Sequence, residues 1–233
     1  LKKTSTLAEA FEEICVMDAP LNERLAAYAE RLRELNFPFS EAYDDLIGRL
    51  LAGEIGTTAP APGEPMPPFV LPAQSGALVS LEELIAKGPV VISFNRGHWC
   101  PFCRIELKTI AAYHNEIAAH GAEAVSIMPD RQQFVGSLRA DTWNMLPILT
   151  DIDNGYALSL GLVMWLGERI KELMRGRGYH LETFQGNDGW FLPLPATFVV
   201  GRDGRVIARF VDVDFRKRME LEDILAALRR AGP

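Results

Sequence analysis

Five uncharged residues, Val90-Val91-Ile92-Ser93-Phe94, lead within six positions to Cys100-Pro101-Phe102-Cys103. A short, almost wholly apolar run of this kind reads as a buried strand, while Ile105, Ile110, Tyr113 and Ile117, with Ala111 and Ala118 between them, recur at helical spacing. Cys100 therefore stands where a helix begins, and Cys103 one turn further on. Unpaired backbone N–H groups and the positive end of the helix dipole favour anions there, so a thiol at that point ionises more easily than a free cysteine. Pro101 suits the first helical turn because it has no N–H to leave unpaired. Two thiols at this spacing can close a disulfide.

The pattern on either side of the junction sets the fold class. Residues 4 to about 52 read as two or three amphipathic helices, with Leu7, Phe11, Ile14 and Cys15 on one face and Leu25, Tyr28, Leu32 and Leu35 on another. Thr57-Thr58-Ala59-Pro60-Ala61-Pro62-Gly63-Glu64-Pro65-Met66-Pro67-Pro68 cannot continue a helix and reads as an extended linker. The expected division is a helical segment at 1–56, a linker at 57–68 and an α/β domain at 69–233. Within that domain Phe69-Val70-Leu71 and Ala77-Leu78-Val79 flank a turn, and Ser80 with Glu83 forms a capping box. Strands follow at Ala122–Met128 and Leu146–Leu149, separated by a helix from about Arg131 to Asp141. Ala196–Val200 and Arg205–Val211 embrace Arg202-Asp203-Gly204 as an antiparallel hairpin, and a helix Met219–Arg230 closes the chain. Strands alternating with helices argue for a sheet covered on both faces. Residues 163–192 fit no simple alternation and read as an insertion near the mouth of the site.

Composition removes several classes of function. A formal net charge of −7 over 233 residues argues against an electrostatic nucleic-acid binder, and Arg216-Lys217-Arg218 reads as a small solvated cluster. No run of 18 apolar residues is present, and Leu1-Lys2-Lys3-Thr4-Ser5-Thr6 leads into an acidic amphipathic segment unlike a signal peptide, so a soluble, cytoplasmic protein is expected, with no membrane partner. Three cysteines are too few for a disulfide scaffold or a four-thiolate zinc site, and no second Cys-x-x-Cys completes a metal set. No metal or other cofactor is expected. His114, His120 and His180 show no ligand spacing, Cys15 reads as core packing, and Asp151 and Asp153 belong first to a turn. Leu162 to Leu166 reads as core or dimer packing.

Four segments, in order, resemble the alkyl hydroperoxide reductase and thiol-specific antioxidant (AhpC/TSA, peroxiredoxin-like) family of the thioredoxin-fold superfamily. They are Met66-Pro67-Pro68-Phe69-Val70-Leu71-Pro72; Arg96-Gly97-His98-Trp99-Cys100-Pro101-Phe102-Cys103; Thr150-Asp151-Ile152-Asp153-Asn154-Gly155-Tyr156 with Leu160-Gly161-Leu162; and Pro195-Ala196-Thr197-Phe198-Val199-Val200 with Asp203-Gly204. The resemblance covers about residues 65 to 230 and implies a thioredoxin-like α/β fold with a central mixed sheet, preceded here by the helical extension. The chain departs from the family at two places. Typical members carry threonine or serine three residues before the reactive cysteine and arginine just before the hairpin strand, where this chain has Gly97 and Pro195. Trp99-Cys100-Pro101-Phe102-Cys103 with Pro195 is closer to thioredoxin itself, in which a cis proline faces the two sulfurs. Arg96 and His98 are the candidates to supply positive charge beside the sulfur.

The resemblance implies an antioxidant oxidoreductase in which the Cys100 thiolate attacks a peroxide oxygen or a disulfide sulfur, and Cys103, more buried than Cys100, then displaces the product to leave a Cys100–Cys103 disulfide. A thioredoxin-like or other thiol reductant restores the pair. Arg96, His98, Trp99, Pro101 and Pro195 are the expected substrate- or partner-binding residues, and a homodimer is plausible through the amphipathic helices. The alternatives are a disulfide reductase without peroxidase activity and a non-catalytic scaffold.

Overall fold

The computed structural model describes residues 6–35 and 37–232; Leu1 to Ser5, part of the stretch read as unlike a signal peptide, lie outside them. Three helices come first: α1 (Leu7–Cys15), α2 (Leu21–Glu34) and α3 (Phe39–Ala52). Thr6 and Glu9 form a capping box at α1, where Glu9 N donates to Thr6 Oγ1 at 3.2 Å and Thr6 N donates to Glu9 Oε2 at 2.7 Å. Pro20 precedes α2 and offers no side-chain cap; instead the carboxylate of Glu220 accepts from Leu21 N at 2.9 Å and Asn22 N at 2.8 Å. A distant carboxylate thus satisfies the orphan donors of this helix.

The segment 57–68 is a series of turns tied to the later hairpin, which corrects the expected extended linker: Gly63 N donates to Val206 O at 2.8 Å and Met66 N to Gly204 O at 2.8 Å. Strands β1 (Val70–Pro72) and β2 (Leu78–Ser80) pair antiparallel, and the Ser80–Glu83 capping box opens α4 (Leu81–Lys87) as the sequence indicates. Next come β3 (Val90–Phe94), α5 (Pro101–Ala112), α6 (His114–Ala119) and β4 (Glu123–Met128). The helical run after Cys100 breaks at Tyr113 and so forms two helices. Beyond them lie α7 (Gly136–Asp141), β5 (Ile148–Thr150) and α8 (Gly155–Ser159), followed by β6 (Val163–Trp165), α9 (Glu168–Arg175), α10 (Leu181–Gln185) and β7 (Phe191–Pro193). The chain closes with β8 (Ala196–Val200), β9 (Val206–Val211) and α11 (Leu221–Ala231).

Five strands form the central mixed sheet in the order β5-β4-β3-β8-β9. β3 lies at its middle, parallel to β4 and antiparallel to β8, with Phe94 opposite both Ile127 and Ala196. All five residues of β3 are buried, as both-face burial requires: Val90, Ile92 and Phe94 join a core with α3, α4 and the 163–192 segment, whereas Val91 faces Leu107, Ile110, Leu138 and Leu228 of the helices behind. Residues 163–192 carry the helices α9 and α10 between β6 and β7, which pair as a separate two-stranded sheet. Of the stripe Leu162 to Leu166, Leu162, Met164 and Leu166 are buried, in agreement with core packing, whereas Val163 is half-buried and Trp165 is exposed. α1 and α2 lay Ala10, Phe11, Ile14, Leu25, Tyr28 and Leu32 against Cys100, Phe102, Cys103 and Ile105, so the extension packs directly on the dithiol.

Candidate active site

The loop from β3 to α5 turns through Gly97, whose φ of 147° is a conformation that L side chains rarely adopt. A Cβ at Gly97 would stand 2.5 Å from Trp99 Nε1 and 2.9 Å from Asp130 Oδ2. The volume in which related proteins keep a threonine or serine is therefore filled here by an indole and a buried carboxylate, which gives the departure at Gly97 a steric cause. Asp130 accepts from the backbone N of His98 at 2.7 Å and contacts His98 Nδ1 at 2.6 Å. His98 is thus engaged by Asp130, with its ring against Phe134 and Phe184, and Arg96 is the residue of the pair that reaches the sulfur.

Cys100 is the N-cap of α5 and Pro101 its first residue, as the sequence implies. The Cys100 sulfur accepts from Cys103 N at 3.4 Å and from Arg96 Nη2 at 3.1 Å. Burial acts to raise its pKa, but the Cys103 thiol donating to it, the Arg96 and Arg218 charges and the Cys103 N–H outweigh burial and lower the Cys100 thiol to about 5. Cys103 moves the other way, raised by burial, by its hydrogen bond to Cys100 and by the charge of that thiolate. Both cysteines are free, so this is the dithiol state. These opposite shifts favour a thiolate at Cys100 that accepts from the thiol of Cys103.

Three expectations need correction. Cys100 is 0 % exposed, as is Cys103, so Cys100 is no less buried than Cys103; α1 and α2 cover both. The Leu194–Pro195 bond is trans, since no described peptide bond is cis. Pro195 is buried and precedes Ala196, the partner of Phe94, which places it alongside the end of β3 where the Cys100 loop departs. Arg218, read as solvated, is buried: its Nη2 donates to Cys103 Sγ at 3.5 Å and its Nε to Glu106. Arg96 and Arg218 thus each bring a guanidinium to one of the two sulfurs.

Glu106, Asp130 and Tyr43 were not singled out by the sequence, and Arg218 and Tyr28 were read only as solvated surface and a helix face, not as site residues. Glu106 carried a legible signal, because it is a charged residue one turn after Cys103 on a helix face otherwise turned to the core. Arg218 carried none, being 115 residues from Cys103. Beside the loop a cavity of about 360 Å³ is lined by Phe11, Tyr28, Tyr43, Trp99, Phe102 and Tyr179 among others. The helical extension forms its roof, and Met174 and Tyr179 bring in the 163–192 segment. Trp99 is a wall of this cavity, its ring 5.6 Å from Arg96 Cζ. Cys15 sits half-buried at the edge of the same cluster, consistent with packing. Asp151 accepts from Tyr156 N and Ala157 N at 2.9 Å each, as a turn residue. Among the described residues no cluster of three or more His, Cys, Asp or Glu is arranged to hold a metal, and no helix is long and apolar enough to cross a membrane.

The fold is shared with solved peroxiredoxins. Peroxidoxin BcpB of Mycobacterium tuberculosis is 23% identical with a TM-score of 0.57 over 73% of this chain and 97% of that one. A reduced Prx3 of Vibrio vulnificus, in complex with H2O2, is 21% identical with a TM-score of 0.55 over 72% and 98% of the two chains. Peroxiredoxin 6 of Arenicola marina is 16% identical with a TM-score of 0.56 over 72% of each. At these identities the likeness establishes the thioredoxin-like fold. Comparison with curated proteins gives no significant match. The AhpC/TSA family model matches residues 62–209, more than half of the chain. The chain therefore belongs to the AhpC/TSA family, peroxiredoxin-like thiol oxidoreductases, and has a thioredoxin-like fold.

Proposed function

We propose that the protein reduces hydroperoxides through a Cys100–Cys103 dithiol cycle. The observation that carries this reading is the Cys100 sulfur held between the Cys103 N–H and the Arg96 guanidinium, which favour its thiolate at neutral pH. The thiolate attacks the terminal peroxide oxygen; the S–O bond forms, the O–O bond breaks, and the alkoxide or hydroxide leaves and takes up a proton. Cys103 then attacks the sulfur of the sulfenic acid, an S–S bond forms and water departs. Both electrons come from the two sulfurs, so the cycle needs no cofactor. An external thiol reductant reopens the disulfide, which fits a reducing, cytoplasmic setting. A homodimer remains part of the proposal.

Burial favours a peroxide over a protein disulfide as oxidant. Both sulfurs lie under α1 and α2, and the adjacent cavity reaches Trp99, Pro101 and Phe102 on either side of Cys100. A hydroperoxide needs only side-chain movement to arrive; a protein disulfide needs the roof displaced. Arg96 Nε and Trp99 Nε1 are buried N–H groups without a hydrogen-bond partner among the described residues, and donors of this kind stabilise charge on a leaving oxygen. Stopped-flow mixing of the reduced protein with tert-butyl hydroperoxide and, separately, with insulin tests the choice. The expected result is a fast fluorescence change with the hydroperoxide and slow reduction of insulin. Peroxide reaction no faster than a free thiol, with prompt insulin reduction, contradicts it and favours the disulfide reductase.

A further inference from the structure

One arginine faces each sulfur. Arg96 Nη2 donates to Cys100 Sγ at 3.1 Å and Arg218 Nη2 to Cys103 Sγ at 3.5 Å. Arg218 is fixed from behind, its Nε donating to Glu106 Oε2 and its Nη1 to the carbonyls of Phe215 and Lys217. Glu106 is fixed in turn by Ser93 Oγ at 2.9 Å and Thr197 Oγ1 at 3.4 Å, and all four of these polar side chains are buried. A buried ion pair of this kind costs much of its attraction in desolvation and is weak evidence for stability alone. Its geometry instead spends the fork of the guanidinium on anchoring and leaves Nη2 for the Cys103 sulfur.

We propose that Arg218, anchored by Glu106, activates Cys103 for disulfide closure, separately from Arg96, which serves Cys100 in the peroxide step. This rests on the hydroperoxide cycle proposed above. In the dithiol state the Cys103 thiol donates to the Cys100 thiolate, whose charge helps keep Cys103 protonated. Oxidation of Cys100 to its neutral sulfenic acid removes that anion and leaves the Arg218 charge at the Cys103 sulfur. Cys103 then gives up its proton only when there is a sulfur to attack. The Cys103 thiolate attacks Cys100, the S–S bond forms, the S–O bond breaks, and the departing hydroxide takes up the released proton as water. The order of the charge effects supports this division: Arg96 outweighs Arg218 at Cys100, and Arg218 outweighs Arg96 at Cys103. Arg218 touches a reacting atom and is a catalytic residue in this scheme; Glu106 acts through it and is a positioning residue.

Pre-steady-state kinetics separate the two steps. Reduced protein is mixed with tert-butyl hydroperoxide between about pH 5.5 and 9, with thiol loss followed as the first phase and dimedone-trappable sulfenic acid as the second. The double variant Glu106→Gln with Arg218→Met removes both buried charges together, so neither is left unpaired. Arg218 also lowers the Cys100 thiol, so the first phase slows at the acid end of the range, but at pH 7 the second phase is expected to slow by about tenfold or more beyond any slowing of the first, and its pH midpoint to rise by about one unit. With the hydroperoxide in excess to supply the second oxidising equivalent, sulfinic acid at Cys100 is expected to accumulate. Glu106→Gln alone keeps an acceptor for Arg218 and is expected to retain the second phase. Should the double variant fail to fold, Arg218→Lys keeps a cation opposite Glu106 but loses the fork, and the same slowing is expected. Equal slowing of both phases, or an unchanged second phase and pH profile, overturns the proposal. Absence of the first phase in wild type contradicts the hydroperoxide reading instead.

Discussion

Arg96 and Cys100 form the closest charged contact of the sulfur pair, with Nη2 3.1 Å from Sγ and the guanidinium stacked 4.0 Å from the Phe215 ring. Both residues are buried, so the contact is little screened by solvent, and the aromatic ring fixes the plane of the cation. Arg96→Met is expected to raise the Cys100 pKa, so that the pH midpoint of alkylation by iodoacetamide moves up by about one unit and the rate below about pH 5 falls by about tenfold, one pKa unit being a factor of ten below both midpoints. Competition alkylation with mass readout checks this, and a wild-type rate in a folded variant contradicts it.

The lowered Cys100 pKa also sets a pH dependence of stability. A group whose folded pKa lies below its unfolded value stabilises the fold above the unfolded value, about 9 here, and loses that contribution as pH falls through the folded value, about 5. The reduced wild type is therefore expected to lose stability relative to Cys100→Ser as pH falls across that window, with no further divergence below it. Urea unfolding of both proteins between pH 5 and 9 measures the difference; parallel curves count against a buried thiolate.

Gly97→Thr restores the hydroxyl that related chains carry, yet it is expected to damage the site. Its Cβ meets Trp99 Nε1 at 2.5 Å, and the backbone φ of 147° disfavours any side chain. A loss of about 1–3 kcal/mol in urea unfolding is expected, with peroxide turnover reduced. Gain of turnover at unchanged stability is the opposing outcome.

The roof is tested at Tyr28, whose ring stands edge-on to Phe102 at 5.4 Å and lines the cavity. Tyr28→Ala opens this wall at a cost of about 3–5 kcal/mol. Reaction of Cys100 with the bulky reagent 5,5′-dithiobis(2-nitrobenzoic acid) is expected to accelerate far more than reaction with iodoacetamide. Equal acceleration of both means that the helices do not discriminate by size.

What the sequence disclosed was local. The β3–α5 junction, the Ser80–Glu83 capping box and the β8–β9 hairpin each depend on residues a few positions apart, whose periodicity and turn chemistry carry the information. Cys100, Cys103 and Arg96 lie in one such segment, and the structure brings them together. The Arg218–Glu106 pair bridges 112 residues and the α2–Phe102 contact joins the helical extension to the sheet domain. Neither leaves a local pattern, because side-chain meeting across the core is set by topology. The exposure expected of Cys100 failed for the same reason: nothing within α1 or α2 announces which surface their apolar faces cover.

Peptide mapping of the reduced protein after one equivalent of hydroperoxide tests the central claim most directly, since it asks whether the Cys100 thiolate reacts and Cys103 resolves it. The expected product is a single linkage joining Cys100 to Cys103, with Cys15 still free. Recovery of both thiols unreacted, or of Cys100 as a persistent sulfenic acid with Cys103 untouched, would contradict the account.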